Sequence, residues 1–562
     1  MKNRNYFLIF IFACCSGVVC TAEGQNKNRH YVKNRIMTTE DGNSFREKVL
    51  YYDNFGKHTE TVQVGASPQG KDLHFTFGYD ILDRPVSESL PLPDGNRNYY
   101  GDAYYYSGCV YGNSSLNRIR ESYGPGAAWI ENGKSVKTEY LINADSGDLS
   151  CAEFRAEDNG EDVRLIRSGL YAAGELSVAR TTDEDGKVVY TFTDFEGKLL
   201  LTRRMNGTEP HDTYIVYDDR GRKRIVLPPL AADELTATAS WGCNSSEVIK
   251  KYGYVYRYDS RDRVIEKKFP GCDPVHFVYD RSDRLILKQN GNNRKDGVWQ
   301  YYQYDGLGRE VIWGVLPSST GREDWEVIFR DTVCCERFIG LGQDGNFGYT
   351  NTAAFNESRT PLIVSYYDSY AFEALSDSFL TYVDKPDFDK RIERPSGKLT
   401  GQVIALLNNP ELKEHVTLYY DNRGRVIQTN ACSVSGFHNY SFTKYDFIGQ
   451  PISVRKEHYS IYPAKAILEP EATYDHTIVY DYEYDHAGRV TRLYQTFDKN
   501  ERIKIAEYRY DEAGRLVGKV LHDGKFDCKY DYNIRGWLTE IDEPFMNEKI
   551  YYNEDLPEGV EP

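Results

Sequence analysis

Polar and apolar residues alternate along much of this chain, and short turn sequences separate the alternating segments. In 480–484 every second residue is a tyrosine, and 425–429 and 515–520 contain the β-branched residues typical of strands. Because successive side chains of a strand point to opposite faces, this alternation places the tyrosines on one face. The pattern predicts many short antiparallel strands.

A six-residue turn pattern, Tyr-Asp-x-x-(Gly or Asp)-(Arg or Lys), recurs nine times. The aspartate can accept a hydrogen bond from the backbone amide two residues on. The residue three after it must close the turn with a positive φ, which glycine adopts freely. In three copies Asp83, Asp262 or Asp283 takes this place, and aspartate tolerates the left-handed conformation better than most residues. We predict structural turn roles for Tyr52, Asp53, Gly56, Tyr79, Asp80, Tyr217, Asp218, Gly221, Tyr258, Asp259, Tyr279, Asp280, Tyr304, Asp305, Gly308, Arg309, Tyr420, Asp421, Gly424, Arg425, Tyr484, Asp485, Gly488, Arg489, Tyr510, Asp511, Gly514 and Arg515.

Four further segments depart slightly from this pattern. Copies that begin at Tyr445 and Tyr532 differ at one or two positions, and copies at Asp183 and Asp194 lack the tyrosine. We expect the Arg or Lys after each turn to lie over a neighbouring Tyr ring as a cation–π contact.

The spacing of the copies predicts a regular array. Tyr258 and Tyr279 are 21 residues apart (279 − 258), and Tyr484 and Tyr510 are 26 apart (510 − 484). Each unit is then two strands and two turns, and a lone hairpin is marginally stable, so the units must stack side by side. The predicted fold class is all-β, with tandem antiparallel hairpins forming a curved or spiral sheet that protects its edges.

These tandem copies resemble the YD-repeat proteins of the RHS type. The segments that carry the resemblance are 254–268, 277–285 and 303–309 for the tandem copies, 532–538 for the closing repeat, and 51–57, 65–72 and 90–93 for the domain that precedes the repeats in exported bacterial proteins. The resemblance covers roughly residues 30 to 553.

The resemblance implies a hollow β-shell wound from the repeats. Many family members add a C-terminal core and a toxin domain inside the shell, and some cleave themselves with aspartates. Neither a core signature nor a toxin domain is visible before Pro562, so toxin activity and self-cleavage are not carried over. We expect a partial shell whose last strand edge, near 551–553, is covered by another chain or a second copy.

The domain organisation follows from where the copies cluster. We predict a signal peptide over 1–22, an N-terminal β-domain over 23–165, repeats over 166–340, an irregular insertion over 341–415 and repeats to the closing repeat over 416–562. A short helix is predicted within 227–236, and 396–407 predicts a turn with one brief strand or helix.

The N-terminus predicts export. Lys2 and Arg4 precede an apolar run over 6–20, which is too short to span a bilayer comfortably, and small residues allow cleavage after Ala22. A lipid anchor at Cys14 is disfavoured because of the bulky Phe12. The predicted location is secreted or at the cell surface.

Composition narrows the chemistry. The net charge is −16 with no Lys or Arg cluster, which argues against a nucleic-acid partner. Eight cysteines remain after signal removal, so disulfides are permitted, but their spacing leaves the pairing open. The chain has no CxxC, no HExxH and no nucleotide-binding loop, so we predict no metal, no cofactor and no catalytic residues.

Two functions fit the 47 tyrosines. The first is a non-enzymatic scaffold that encloses or presents another protein chain, as a component of a toxin system. The second is a carbohydrate-binding or adhesion module that stacks sugar rings on tyrosine-lined surfaces. Burial of the repeat tyrosines favours the scaffold, whereas exposure of consecutive repeat tyrosines favours sugar binding.

Overall fold

The computed structural model describes residues 18–21, 29–158, 160, 162–340, 346–353, 355, 358–375, 381–434, 437–460 and 475–552. Most of the predicted signal peptide lies outside the described residues. Its described part, Val18–Thr21, forms strand β1, which pairs antiparallel with the next strand. No helix within the described ranges is both long and apolar enough to span a membrane.

In the first part of the chain, the described residues form ten strands and one short helix. Strands β1 to β5 are Val18–Thr21, His30–Met37, Phe45–Tyr52, His58–Val64 and Leu73–Tyr79. Strands β6 to β10 are Pro85–Ser89, Leu92–Pro93, Tyr106–Tyr111, Ile119–Tyr123 and Val136–Ile142, and helix α1 is Ala127–Ile130.

The described residues of the middle part form eighteen strands and four helices. Strands β11 to β19 are Ala152–Asp158, Val163–Leu170, Ser177–Thr182, Val188–Thr193, Leu199–Asn206, Glu209–Tyr217, Lys223–Leu227, Ser240–Gly242 and Tyr254–Tyr258. Strands β20 to β28 are Val264–Lys268, Val275–Tyr279, Leu285–Gln289, Val298–Tyr304, Glu310–Pro317, Thr360–Tyr367, Leu399–Leu406, Asn409–Tyr420 and Val426–Cys432. Helices α2 to α5 are Pro229–Glu234, Glu247–Tyr252, Gly291–Lys295 and Arg322–Phe329, and 3-10 turns occupy Gly147–Leu149 and Ala371–Leu375.

The last part is a plain run of hairpins. Strands β29 to β33 are Phe437–Tyr445, Pro451–Ser460, His476–Tyr484, Val490–Phe497 and Ile503–Tyr510. Strands β34 to β37 are Leu516–Leu521, Phe526–Tyr532, Leu538–Glu543 and Met546–Lys549.

These strands form one long antiparallel ribbon, which confirms the predicted all-β fold class. Each strand pairs with its neighbours in chain order, apart from a separate sheet of β11, β12 and β18 and a side pairing of β7 with β5. Among the described residues, β1 and β37 each pair on one side only, so the sheet is not closed by strand pairing.

Because neighbouring strands run in opposite directions, the ribbon has two distinct edges. One edge, called the turn rim below, holds the turns that follow β3, β5, β8, β14, β16, β19, β21, β23, β25, β27, β29, β31, β33 and β35. The opposite edge, called the loop rim, holds the connections at the other ends of the strands, including 65–72, 124–135 and the turn at 183–186, whereas the connection from β10 to β13 lies on the turn-rim side.

Segment 341–415, predicted to be an irregular insertion, differs from that prediction. It contains β25, β26 and most of β27, and all three belong to the ribbon. The sequence pattern missed them because the connections on both sides of β25 are long. The helix predicted within 227–236 is confirmed as α2, and the brief element within 396–407 is strand β26. The domain boundaries stay predictions.

One face of the ribbon is apolar where inserted segments cover it. On β23 the side chains of Trp299, Tyr301 and Gln303 point to this face and are almost fully buried. Phe329, Phe355 and Phe372, from the connections on either side of β25, pack into the same core. A second core forms where β11, β12, α2 and α3 pack on β13 to β17.

The same face is charged where no described insertion covers it. Across β31 to β36 it carries cross-strand ion pairs between Arg492 and Glu483 (3.1 Å), Lys529 and Asp542 (3.9 Å), and Arg509 and Asp527. Cross-strand charge pairs stabilise a sheet modestly, and charged side chains keep its face hydrated. This face of the ribbon is therefore apolar under the inserted segments and charged elsewhere.

Candidate functional site: the turn network and the closure contact

The turn between β27 and β28 illustrates the repeat geometry. The Asp421 amide donates to the Arg425 carbonyl at 3.0 Å, and the Gly424 amide donates to the Asp421 carbonyl at 3.0 Å. Asp421 Oδ1 accepts from the amides of Arg423 and Arg425, each at 2.9 Å. Asp421 Oδ2 accepts from Arg425 Nε at 2.6 Å. One carboxylate thus binds three N–H groups, and Gly424 closes the turn at φ 75°.

The other predicted turns repeat this arrangement. Backbone closure of the same kind forms at Asp53, Asp80, Asp218, Asp259, Asp280, Asp305, Asp485 and Asp511. Asp83, Asp262 and Asp283 have φ of 66°, 61° and 62°, so these three aspartates adopt the left-handed conformation as predicted. The copies at Asp183, Asp194, Asp446 and Asn533 close in the same way.

In most copies the repeat tyrosine ties its turn to the turn before it. Tyr510 Oη donates at 2.9 Å to the carbonyl of Val490, the residue after the arginine of the preceding copy. The same bond joins Tyr79 to His58, Tyr258 to Lys223, Tyr279 to Val264, Tyr304 to Leu285, Tyr420 to Leu399, Tyr445 to Val426, Tyr484 to Pro451 and Tyr532 to Leu516. Tyr52, in the first turn, instead packs on His58, with ring centroids 5.6 Å apart.

The repeat arginine ties each turn to the turn after it. Arg425 Nη1 donates to the Asp446 carbonyl at 2.9 Å, and its guanidinium lies 4.7 Å from the centre of the Tyr445 ring. The predicted cation–π contacts are confirmed in this and other pairs: Arg222 with Tyr258, Arg263 with Tyr279, Arg284 with Tyr304, Arg489 with Tyr510, and Arg515 with Tyr532. Tyr and Arg together link the turns of the turn rim.

Burial accompanies this network. The repeat tyrosines are half-buried, and Tyr420 is 6% exposed. Burial raises the pKa of the hydroxyls of Tyr279, Tyr420 and Tyr510, so they stay protonated donors. Asp280 is fully buried and also accepts from the Cys334 amide at 3.2 Å. The turn residues are thus occupied in holding the ribbon.

Two repeat positions escaped the sequence pattern. Tyr367 and Asp368 form a copy whose closing residues, Gly397 and Lys398, follow a long inserted segment. The Asp368 amide donates to the Lys398 carbonyl at 3.1 Å, and the Gly397 amide donates to Asp368 Oδ1 at 2.6 Å. The two halves of the pattern, Tyr-Asp and Gly-Lys, are both present in the sequence, and they were the signal that could have identified this copy. Tyr111 is the second, since its hydroxyl donates to the Pro85 carbonyl at 3.1 Å although no aspartate follows it.

The end of the ribbon docks on its beginning through Arg535. This arginine lies in the last repeat turn, and its guanidinium is 3.9 Å from the centre of the Trp129 ring. Arg535 Nη1 contacts both carboxylate oxygens of Glu184 at 3.0 Å, and Nε donates to the Pro125 carbonyl at 3.0 Å. Trp537 packs edge-on against Trp129 with centroids 5.6 Å apart. We call this group the closure contact.

Neighbouring turns extend the same interface. Lys71 Nζ pairs with Glu512 at 2.9 Å, and His486 Nε2 lies 2.6 Å from the Gly65 carbonyl oxygen. Arg46 Nε donates to the His486 carbonyl at 3.3 Å. In every case the turn rim of the last repeats meets the loop rim of the first strands. The ribbon therefore completes one circuit of a spiral, and its last repeats stack beside its first strands.

A polar cleft of about 1160 Å³ lies beside the turns that follow β14, β16 and β19. Tyr171, Tyr217 and Tyr258 line it together with carboxylates and arginines, among them Asp218 and Arg257. The Tyr258 hydroxyl is already used in the turn network, because it donates to the Lys223 carbonyl at 2.8 Å. The cleft offers ring faces and mixed charges in one place.

Metal and thiol chemistry have little support in the described part of the chain. There, no group of three or more His, Cys, Asp and Glu side chains is arranged to hold a metal ion. No disulfide bond forms among the cysteines of the same residues. Burial raises the pKa of the Cys151, Cys243 and Cys334 thiols to about 12, so these thiols stay protonated and unreactive.

Comparison with known proteins gives partial matches. A family described as a domain of unknown function (DUF6443) matches residues 25–142. Salivary gland surface protein 1 of Aedes aegypti is 21% identical over 541 residues, which is 92% of this chain and 14% of that protein. The chain thus spans about a seventh of the length of that curated relative.

Among solved structures, a TcdB2-TccC3-Cdc42 crystal structure aligns with 94% of this chain and 27% of its own, at 12% identity and a TM-score of 0.36. A TcdB2-TccC3-TEV crystal structure aligns with 92% of this chain and 26% of its own, at 13% identity and the same TM-score. The fold described above stands on the chain's own strand registers.

Proposed function

We propose that this chain is an exported, non-enzymatic scaffold of the YD/RHS type whose ribbon forms part of a β-shell around a partner protein chain. The observation that carries the proposal is the closure contact, in which Arg535 packs on Trp129 and pairs with Glu184. A ribbon that returns to dock on itself makes a curved wall. The role in a toxin system and the export rest on the family resemblance and the N-terminal sequence.

The use of the charged side chains supports a non-enzymatic role. Catalytic carboxylates need room for substrate, whereas Asp421 and the other repeat aspartates whose turn ends in an arginine use both oxygens within their own turns. Their Arg and Tyr partners are likewise bound to neighbouring turns. Contacts within and between the turns therefore explain the polar residues of the repeats, and no catalytic role is needed for them.

A second candidate function is carbohydrate binding in the polar cleft. Tyr171 and Tyr217 there offer rings beside the mixed charges that sugar hydroxyls bind. Most repeat tyrosines support the scaffold instead, because they are half-buried and their hydroxyls donate to backbone carbonyls. We therefore place the scaffold first.

Protection of a partner from protease tests the scaffold. The chain is purified from its exporting host under mild conditions, and the mass of the complex is measured by native mass spectrometry. A stoichiometric partner that resists protease is expected in the wild type, and it becomes cleavable in Arg535→Glu, which opens the closure contact. Arg509→Glu, in an exposed ion pair of the same region, is the matched control.

Two outcomes decide against the scaffold. A chain that purifies without any partner contradicts it, as does a partner that is cut equally fast in the wild type and both variants. A glycan array tests the alternative in parallel. Binding that disappears in Tyr171→Ala would move the function to the cleft.

A further inference from the structure

Three adjacent turns near the start of the ribbon expose large apolar side chains. Phe55 is 87% exposed, Ile81 98%, Leu82 65% and Leu116 64%. Each lies on the turn rim, in the connections that follow β3, β5 and β8. We call these four residues the rim patch. Lone exposed apolar residues are ordinary, but neighbouring ones mark an interaction surface.

The turns that carry the rim patch touch one another. Lys57 of the first turn pairs with Asp83 of the second. Arg84 of the second turn donates to the Gly112 carbonyl at 3.4 Å and to Asn117 Oδ1 at 3.5 Å in the third. The four side chains therefore belong to one continuous stretch of rim.

The chain itself shows what the turn rim binds. The turns of the last repeats dock on the loop rim of the first strands, and Ala487, Ala513 and Ile534 at their tips are half-buried there. The rim patch occupies the equivalent tips one circuit earlier. Its side chains are as apolar as Ile534 and larger than Ala487 and Ala513, yet among the described residues no loop rim lies against them.

We propose that the rim patch docks on the loop rim of a second copy of this chain. The interface would continue the contact that the chain already makes with itself, turn rim against loop rim. The loop rim also exposes apolar side chains, since Leu230, after β17, and Leu407, after β26, are 59% and 78% exposed. Two different edges meet in this contact, so the association is head-to-tail and can continue beyond a dimer.

This inference deepens the scaffold proposal, because it names the chain that covers one rim of the shell. Sedimentation of the full chain over a wide range of concentration tests it. We expect concentration-dependent dimers and larger species in the wild type. The double variant Ile81→Asp/Leu82→Asp should raise the dissociation constant at least tenfold, because it places two charges in the contact.

Leu307→Asp is the matched control. Leu307 is 76% exposed at the tip of a repeat turn on the same rim, but it lies outside the rim patch. This variant should change the dissociation constant less than twofold. Thermal unfolding should show all three proteins equally stable, because the substituted side chains face solvent.

A wild-type chain that stays monomeric at every concentration overturns the inference. So does an equal effect of Leu307→Asp and the double variant. A photo-crosslinker placed at Leu116 gives an independent measurement, and it should link to loop-rim residues of another copy. A monomer that still protects its partner from protease would overturn the second-copy inference alone, whereas loss of protection would overturn the scaffold itself.

Discussion

The hydroxyl of Tyr510 donates to the backbone carbonyl of Val490 at 2.9 Å, and through this bond one repeat holds the next. The two residues lie 20 positions apart, in successive hairpins. The acceptor is the residue after the last position of the preceding turn, which is an arginine or lysine in every pair named above except that of Tyr484, where it is Gln450. The tyrosine of the pattern is therefore explained by a contact between repeats, whereas the aspartate and glycine are explained within one turn.

Removing this hydroxyl should destabilise the stack locally. Tyr510→Phe keeps the ring and its contact with Arg489, whose guanidinium is 5.5 Å from the ring centre, but leaves the Val490 carbonyl without its donor. We expect a loss of about 1 kcal/mol in local stability, the usual net value of such a bond. Hydrogen exchange of β32 and β33 measures it.

Tyr140→Phe is the matched control for this prediction. Tyr140 makes the same kind of bond, to the Ile119 carbonyl at 3.1 Å, but it is 42% exposed. Water can replace its hydroxyl, so the expected loss is under about 0.5 kcal/mol. Equal losses in both variants would contradict the importance of burial.

Replacing the closing glycine should destabilise the fold through two separable effects, backbone strain at positive φ and steric contact of the added Cβ. Gly424 has φ 75°, and a Cβ there would lie 2.9 Å from Lys398 Cε. Gly536 also has φ 75°, but a Cβ there would meet nothing within 4 Å. Substitution by alanine at Gly536 should cost about 1 kcal/mol from backbone strain alone.

The variant Gly424→Ala should lose at least as much as Gly536→Ala, with only a small addition, because the lysine end can move aside. Chemical denaturation of both variants beside the wild type gives the two values. A larger loss at Gly536 would show that strain in the φ angle is not the common cause.

The closure contact should show strong coupling between its charges. Arg535 is 7% exposed and Glu184 is 23% exposed, so neither charge is well solvated. Arg535→Ala should cost about 2–4 kcal/mol, because it removes the pair and the contact with Trp129 and leaves Glu184 without its main partner. Hydrogen exchange of 124–135 reports the opening.

A double-mutant cycle with Glu184→Gln isolates the pair, and we expect a coupling energy above about 1 kcal/mol. Arg509→Ala, which removes a pair with both partners nearly half exposed, should cost under about 0.5 kcal/mol. Additive effects of the Arg535 and Glu184 substitutions would contradict a direct interaction.

The turns were predictable from sequence because their cause is local. Asp421 and Gly424 lie three residues apart and act on each other's backbone, so the pattern contains the whole interaction. The Tyr367 copy was missed because an insertion separates its aspartate from Gly397, and only the folded chain brings them together. Arg535 and Trp129 are 406 positions apart (535 − 129), and no local pattern encodes their contact.

Acid should weaken the ribbon around His276, a half-buried residue of β21. Burial, together with Arg294, Arg322 and Arg257, lowers the pKa of this imidazole to about 4. Glu266 lies 3.7 Å away but shares its charge with Arg257, at 3.5 Å. A folded pKa below the unfolded value of about 6.5 means that protonation favours unfolding, so stability is lost as pH falls from 6.5 toward 4.

Between pH 7.5 and 4.5 the loss from this group should reach about 2 kcal/mol, and His276→Gln should lose that much less than the wild type. Urea unfolding of both proteins at the two pH values measures it, since the carboxylates that also titrate are shared. Equal losses in both would mean that the charged imidazole is accommodated in the fold.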